Sequence, residues 1–307
     1  MKKVLWISAG ALGAYFCARL QQSGDAEVAV TLRSDFDAVK QNGFEISAVS
    51  GTFRFFPDIV LRSAEEYQDT PDYIIVSAKV LPWINVPELI RPAVRSKDTV
   101  IVLIQNGIGI EDAVAEAFPD NEVISTVAYI GATRTGKGTV TQTGAQRLIM
   151  GKFGGGASEK GEFLVELFRK GKVEAEYTAD IARFRWKKLL WNTPFNTVSV
   201  LGGHLTTKDM CDGAIMEQLC LDLMHETAAT AKAAGYEFSE KDLEANMEYT
   251  RNFPPYKTSM LVDFEAGRPL EVDAILGNVC RIAEAHGLSV PRLRTCYALL
   301  QSCSPKG

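Results

Sequence analysis

Through the first half of the chain the hydrophobic pattern switches repeatedly between two periods. Strand-length apolar runs at Lys3 to Ile7, Glu27 to Leu32, Tyr73 to Ser77 and Thr99 to Ile104 alternate with helical patterns at Ala11 to Gln22, Pro87 to Val94 and Ile110 to Ala117. Strands separated by helices predict βαβ units and a largely parallel sheet. Gly43 to Arg62 and Val123 to Ile149 read as further strands, partly antiparallel, with a Gly-rich turn at Thr135-Gly136-Lys137-Gly138. A helical run from Glu159 to Lys170 and a short strand near Val173 follow. From Asp180 the pattern is helical almost to the end, broken at Gly202-Gly203, Pro254-Pro255 and Gly267-Arg268-Pro269. The expectation is an α/β protein: an N-terminal doubly wound sheet over 1–178, and a second, all-helical C-terminal domain over 179–307.

Composition narrows the class. A hydrophobic content of 46% over 307 residues suffices for two packed cores and excludes a disordered chain. Charged residues leave a net charge of -5, so there is no basic footprint for nucleic acid or an acidic membrane surface. The longest apolar runs fall far below the roughly 18 residues that span a bilayer. Met1-Lys2-Lys3 leads into an apolar segment of about five residues, too short for a signal-peptide core. The expectation is a cytoplasmic protein. Its six cysteines show no CxxC spacing and its three histidines stand singly, so the thiols read as reduced and no metal site is expected.

Val4-Leu5-Trp6-Ile7 and then Ser8-Ala9-Gly10-Ala11-Leu12-Gly13 give the order strand, turn, helix in which a dinucleotide motif is credible. Gly10 would let the backbone approach a pyrophosphate, and Gly13 would let the helix pack closely on the sheet. The helix N-terminus offers free N–H groups to the anion. Ser8 stands where the motif's first glycine belongs, and a serine is expected to make the turn only with φ negative. Arg33 closes the second strand, 20 residues after Gly13, where an NAD site usually carries an acid for the ribose. A guanidinium there suits a 2′-phosphate, with Ser34 as a further contact, so NADP is the expected cofactor and 1–178 a Rossmann-like domain. The competing reading is a solvated arginine, with Asp35 or Asp37 capping the next helix or holding the ribose.

In the second half, Lys188, Asn192 and Asn196 recur every four residues and would share one helix face among Trp191, Pro194 and Phe195. Pro194 would remove one helical hydrogen bond and kink the helix there. Lys187 competes with Lys188, but its four-residue successors are Trp191 and Phe195.

These blocks, with Lys79 after the strand at Tyr73, Gln105-Asn106-Gly107 after that at Val100, Ser259-Met260-Leu261-Val262-Asp263, Gly267-Arg268-Pro269-Leu270-Glu271-Val272-Asp273 and His286-Gly287, resemble the ketopantoate reductase (2-dehydropantoate 2-reductase) family over most of the chain. The resemblance implies an NADPH-dependent reductase of 2-dehydropantoate, acting in pantothenate and coenzyme A biosynthesis. It implies Lys188 as general acid and Glu271 as the carboxylate near the lysine and cofactor. By the same likeness Asn106, Asn192, Asn196 and Ser259 would hold substrate, supported by Asp263. Ser8 to Gly13, Arg33, Ser34, Lys79, Asn106 and Glu271 would line the cofactor, and His286 would be structural. Pro82 and Leu270 depart from the family's usual Gln and Thr, at positions expected near the nicotinamide and substrate. Two alternatives follow: reduction of another branched or bulky 2-oxo acid, or a non-catalytic NADP-binding sensor. A homodimer is compatible with the sequence.

Overall fold

A computed structural model describes residues 1–304. The chain forms two compact units. The first comprises Met1–Lys79, Ile84–Gln105 and Ile110–Ala182; the second takes Val80–Trp83, Asn106–Gly109 and the chain from Arg183 onward. Two short loops from the first half thus pack with the helical unit, an arrangement that no division into consecutive stretches provides.

The first unit opens with β1 (Lys2–Ile7), α1 (Ala11–Gln21), β2 (Ala26–Thr31), α2 (Phe36–Asn42), β3 (Phe44–Ala48), β4 (Gly51–Phe55) and β5 (Ile59–Leu61). It continues with β6 (Tyr73–Val76), α3 (Val86–Ile90), β7 (Val100–Leu103), α4 (Asp112–Ala117), β8 (Val123–Gly136), β9 (Thr139–Lys152), α5 (Glu159–Lys170) and β10 (Glu174–Tyr177). The sheet order is β4-β3-β9-β8-β7-β6-β1-β2-β5, and β10 pairs with β9. From β8 to β5 every pairing is parallel, whereas β8 with β9 and β3 with β4 are antiparallel. The parallel and partly antiparallel regions therefore fall where the periodicities put them.

The run Val4 to Ile7 is fully buried because the sheet is covered on both faces. Val4 and Trp6 pack in a cluster with Tyr15, Phe16 and Leu20 of α1, while Leu5 and Ile7 join Ile74, Ala93 and Ile101.

The second unit holds α6 (Ile181–Leu201) from Arg183 on, α7 (Thr207–Asp212), α8 (Ala214–Ala233), α9 (Glu240–Asn252) and α10 (Ser259–Glu265). A π-helical turn, Asp273–Gly277, leads into α11 (Asn278–Ala285), followed by α12 (Pro291–Cys303). Among the described residues this unit has no strand. Its core gathers Trp186, Leu190 and Phe195 of α6 with Leu223, Met247, Leu276 and Leu293. Truncating a side chain such as Phe195, which is wholly buried, costs about 3–5 kcal/mol in such surroundings. Capping boxes at Thr206/Asp209 and Ser239/Asp242 start α7 and α9, and Glu226 of α8 accepts from the backbone N–H groups of Arg292 and Leu293 to cap α12.

The helix α6 continues through Pro194. Beside the proline, Thr193 donates its hydroxyl to the Leu189 carbonyl at 2.8 Å and lies 2.7 Å from the Thr227 hydroxyl. No helix among the described residues is long and apolar enough to cross a membrane.

Candidate active site

In the first unit the turn after β1 is built by backbone. Ser8 adopts φ 62°, the left-handed conformation in which the motif ordinarily has glycine. The expectation that serine would keep a negative φ is therefore corrected. Neighbouring hydroxyls explain how serine is held there: Thr31 Oγ1 accepts from the Ser8 N–H at 3.0 Å, and Ser77 Oγ donates to the Ser8 carbonyl at 3.0 Å. The Trp6 indole donates to the same Ser77 hydroxyl at 2.7 Å. Strained backbone persists where the surroundings over-determine it in this way.

Gly10 and Gly13 play different parts. A Cβ on Gly13 would lie 2.8 Å from both Ser77 Oγ and Trp6 Nε1, so this glycine permits close packing of α1 on the sheet. A Cβ on Gly10 would meet nothing within 4 Å, so this side of the turn is open. Gly10 is the N-cap of α1, no side chain caps the helix, and no acid lies in its first turn. Ala11, Leu12 and Gly13 thus present an uncapped helix N-terminus suited to a pyrophosphate.

Beyond β2, Arg33 and Ser34 are exposed. Asp35 is buried and engaged by Arg134, whose Nε donates to it at 2.8 Å, and by the Gly138 N–H. Burial opposes ionisation of Asp35, but these hydrogen bonds outweigh it and hold the carboxyl below its usual pKa. Asp37 pairs with Arg62 at 3.0 Å. Both acids that competed for the ribose are therefore occupied by arginines, and neither caps α2 with its side chain. Lys79 is half-buried three residues beyond β6. Ser8, Ala9, Gly10 and Arg33 with these neighbours fit a phosphorylated dinucleotide.

The second unit brings together Lys188, Asn106 and Glu271. Lys188 Nζ donates to Asn106 Oδ1 at 2.8 Å, Asn106 Nδ2 reaches Glu271 Oε2 at 3.4 Å, and Glu271 Oε1 accepts from the Val80 N–H at 2.9 Å. Asn106 is thus a bridge between the cation and the carboxylate. Removal from water lowers the Lys188 pKa to about 8, assisted by the positive charge of Arg185 and opposed by Glu271. Lys187 on the same helix is exposed, whereas Lys188 is half-buried.

One turn on along the same face of α6, Asn192 is 5% exposed. Asn196 accepts from the Met260 N–H at 3.2 Å and lies 3.4 Å from Ser259 Oγ, so the start of α10 is tied to α6 through this residue. Ser259 is exposed. Asp263 is drawn to Arg268, 2.8 Å away, and this pair closes the Gly267 turn. Leu270 is 4% exposed in the helical core, so its change from the family's threonine is one of packing. His286 is an exposed residue ending α11, where Gly287 takes φ 67°.

Three groups that the sequence reading missed hold the Asn106 loop. Arg185 is 4% exposed and Nη1 donates to the Gly107 carbonyl at 3.1 Å. Asn278 donates to the Ile108 carbonyl at 2.5 Å, and the Ile108 N–H meets the Ala274 carbonyl of the π turn at 3.3 Å. Gly107 has φ 100°, and a Cβ on it would fall 2.4 Å from the Ala274 carbonyl oxygen. Arg185 stands three residues before Lys188, a spacing that shares a helix face; Asn278 leaves no such signal.

Known proteins share this sequence pattern and this fold. Residues 5–155 match the family model described as ketopantoate reductase PanE/ApbA, and residues 180–304 match that of its C-terminal region. A 2-dehydropantoate 2-reductase of Nostoc sp. is 30% identical, covering 98% of this chain and 94% of the relative. The crystal structure of 2-dehydropantoate 2-reductase from Methylococcus capsulatus superposes with a TM-score of 0.91 at 41% identity, covering 98% of this chain and 96% of that one. That from Geobacter metallireducens gives 0.92 at 32% identity, covering 98% and 100%. The chain belongs to the ketopantoate reductase family.

Proposed function

We propose that this protein reduces 2-dehydropantoate to pantoate with NADPH, a step toward pantothenate and coenzyme A, and that Lys188 is the proton donor. The observation that carries the reading is the Lys188 ammonium, its pKa lowered to about 8, hydrogen-bonded to Asn106 at 2.8 Å, with the buried Asn192 one helical turn further on. The names of the relatives supply the substrate. NADPH, when bound, supplies the hydride to the carbonyl carbon.

The residues of this chain supply everything else. Ser8 to Gly13 hold the pyrophosphate, and Arg33 with Ser34 holds the 2′-phosphate. Lys79 serves the cofactor side. As negative charge grows on the substrate oxygen, the Lys188 ammonium stabilises it and gives it a proton, yielding the 2-hydroxy acid. Asn106 and Glu271 fix the cation while it does so. Asn192, Asn196 and Ser259 orient the substrate's carboxylate and hydroxyl groups, with Asp263 and Arg268 bracing α10.

The test is oxidation of NADPH and of NADH, each against a panel of 2-oxo acids that includes 2-dehydropantoate. The expected result is the highest kcat/KM for 2-dehydropantoate with NADPH. A higher value for a bulkier 2-oxo acid reassigns the substrate. Tight NADPH binding without turnover on any member of the panel refutes the reductase.

A further inference from the structure

We infer that Arg185 is a positioning residue of the Lys188 site: from the preceding turn of α6 it holds the Gly107 carbonyl, and with it the Asn106 loop, and sets a fixed positive charge beside the lysine. Arg185 is 4% exposed, and its guanidinium donates to the Gly107 oxygen at 3.1 Å. Asn106 in turn accepts the Lys188 hydrogen bond at 2.8 Å. Arg185 and Lys188 are three residues apart on one helix, so their side chains lie on one face. A single arginine therefore grips both ends of the Lys188–Asn106 hydrogen bond, one through the helix it sits on and the other through a backbone carbonyl.

A buried cation beside an ammonium is costly, and α6 has apolar residues at 186, 189 and 190 that show what this helix otherwise puts inside. Placing arginine there makes chemical sense if the neighbouring lysine has to give up its proton readily. Among the described residues, the charges that shift Lys188 are Arg185 on α6, which makes the ammonium a stronger acid, and Glu271 at the entry to the π turn, which makes it a weaker one. The Asn106 loop contributes a neutral amide. Arginine keeps its charge at every relevant pH and adds a planar fork of donors, which the point charge of a lysine lacks.

The charge role is independent of which substrate is reduced; the rate role rests on Lys188 being the proton donor. Two variants of the full chain separate them, Arg185→Gln and Arg185→Lys, each checked by circular dichroism. The first measurement is the pH dependence of Lys188 acylation by acetic anhydride, followed by peptide mass spectrometry, which needs neither cofactor nor turnover. Arg185→Gln is expected to raise the midpoint by about one pH unit, as loss of an adjacent like charge requires, and Arg185→Lys to keep it near the wild-type value.

The second measurement is kcat against KM with NADPH and 2-dehydropantoate. Arg185→Lys is expected to lower kcat several-fold with KM little changed, because the charge stays while the hold on the Gly107 carbonyl is lost. An unmoved acylation midpoint in folded Arg185→Gln overturns the charge role. Wild-type kcat in Arg185→Lys overturns the positioning role; if Arg185→Gln does not fold, Arg185→Met takes its place in the acylation measurement, with the same outcomes. A lower melting temperature with both readouts unchanged makes Arg185 merely structural and overturns the inference. Normal acylation behaviour in an enzyme that reduces no 2-oxo acid counts against the proposed function and leaves the charge role standing.

Discussion

In the proposed function, the turn after β1 and the polar face of α6 would hold their ligands in contrasting ways. At the turn the binding groups are backbone N–H groups and open space over Gly10, and side chains serve only to brace the backbone from behind. On α6 the backbone is a uniform helix, and all the chemistry lies in side chains at positions 188, 192 and 196 with their neighbours. A backbone site accepts a change of residue type when hydrogen bonds keep its shape, as Thr31 and Ser77 do for Ser8. A side-chain site depends on the identity of each group.

The strongest way to break this contrast is Lys188→Ala. It is expected to lower kcat by about 10²-fold or more, the range of a lost general acid, with the circular dichroism spectrum unchanged. A near-normal kcat would sink the assignment. In the intact enzyme only the ammonium form donates, so kcat/KM is expected to fall once the pH rises past the Lys188 pKa of about 8. A profile flat from pH 7 to about 10 contradicts the pKa lowered by burial and Arg185.

Gly13 and Gly10 test the turn. Gly13→Ala overpacks Ser77 and Trp6 and is expected to cost about 1–3 kcal/mol in a urea titration. Gly10→Ala faces open space and is expected to change stability by less than about 0.5 kcal/mol while weakening NADPH binding in calorimetry. Equal stability losses in the two would erase the distinction drawn between them.

Arg33→Asp is expected to raise KM for NADPH by about 10- to 100-fold, since a hydrogen bond to a charged group is worth ~1.5–3 kcal/mol, and to affect NADH less. Equal losses with both cofactors would remove the 2′-phosphate role. Ser8→Gly is expected to have a small effect of the opposite sign, a gain in stability. Relief of the left-handed backbone is offset by the extra freedom of glycine in the unfolded chain, leaving a gain of about 0.5–1 kcal/mol by thermal or denaturant unfolding. A destabilised variant would mean that the Ser8 side chain contributes contacts that its backbone geometry does not reveal.

Much of this could be read from the chain because both sites obey local periods. The strand, turn and helix order at Val4 to Gly13 and the four-residue spacing of Lys188, Asn192 and Asn196 are short-range patterns, and the structure sets each on the element its period implied. The conformation of Ser8 was not legible, because it is decided by hydroxyls 23 and 69 residues away. Nor was the grip on the Asn106 loop, which draws on Arg185, Asn278 and a π turn whose carbonyl geometry has no sequence signature. Leu270 was placed near the substrate by its motif, yet its side chain belongs to the core, since motif order says nothing of which way a residue faces between two helices.

The two loops that pack with the helical unit also bear on how this protein can be taken apart. Val80 and Asn106, the partners of Glu271, arrive from stretches 75 or more residues before α6 begins. A fragment starting at Arg183 would lack the acceptor for the Lys188 hydrogen bond and the N–H that anchors Glu271. Its helices could assemble while its lysine lost both its orientation and its neighbours. Domain exchange between relatives at the junction before α6 would carry the same cost, unless residues 80–83 and 106–109 travel with the helices. In this fold the gene is linear but the site is not, and the unit of inheritance for its chemistry is three separated stretches of chain.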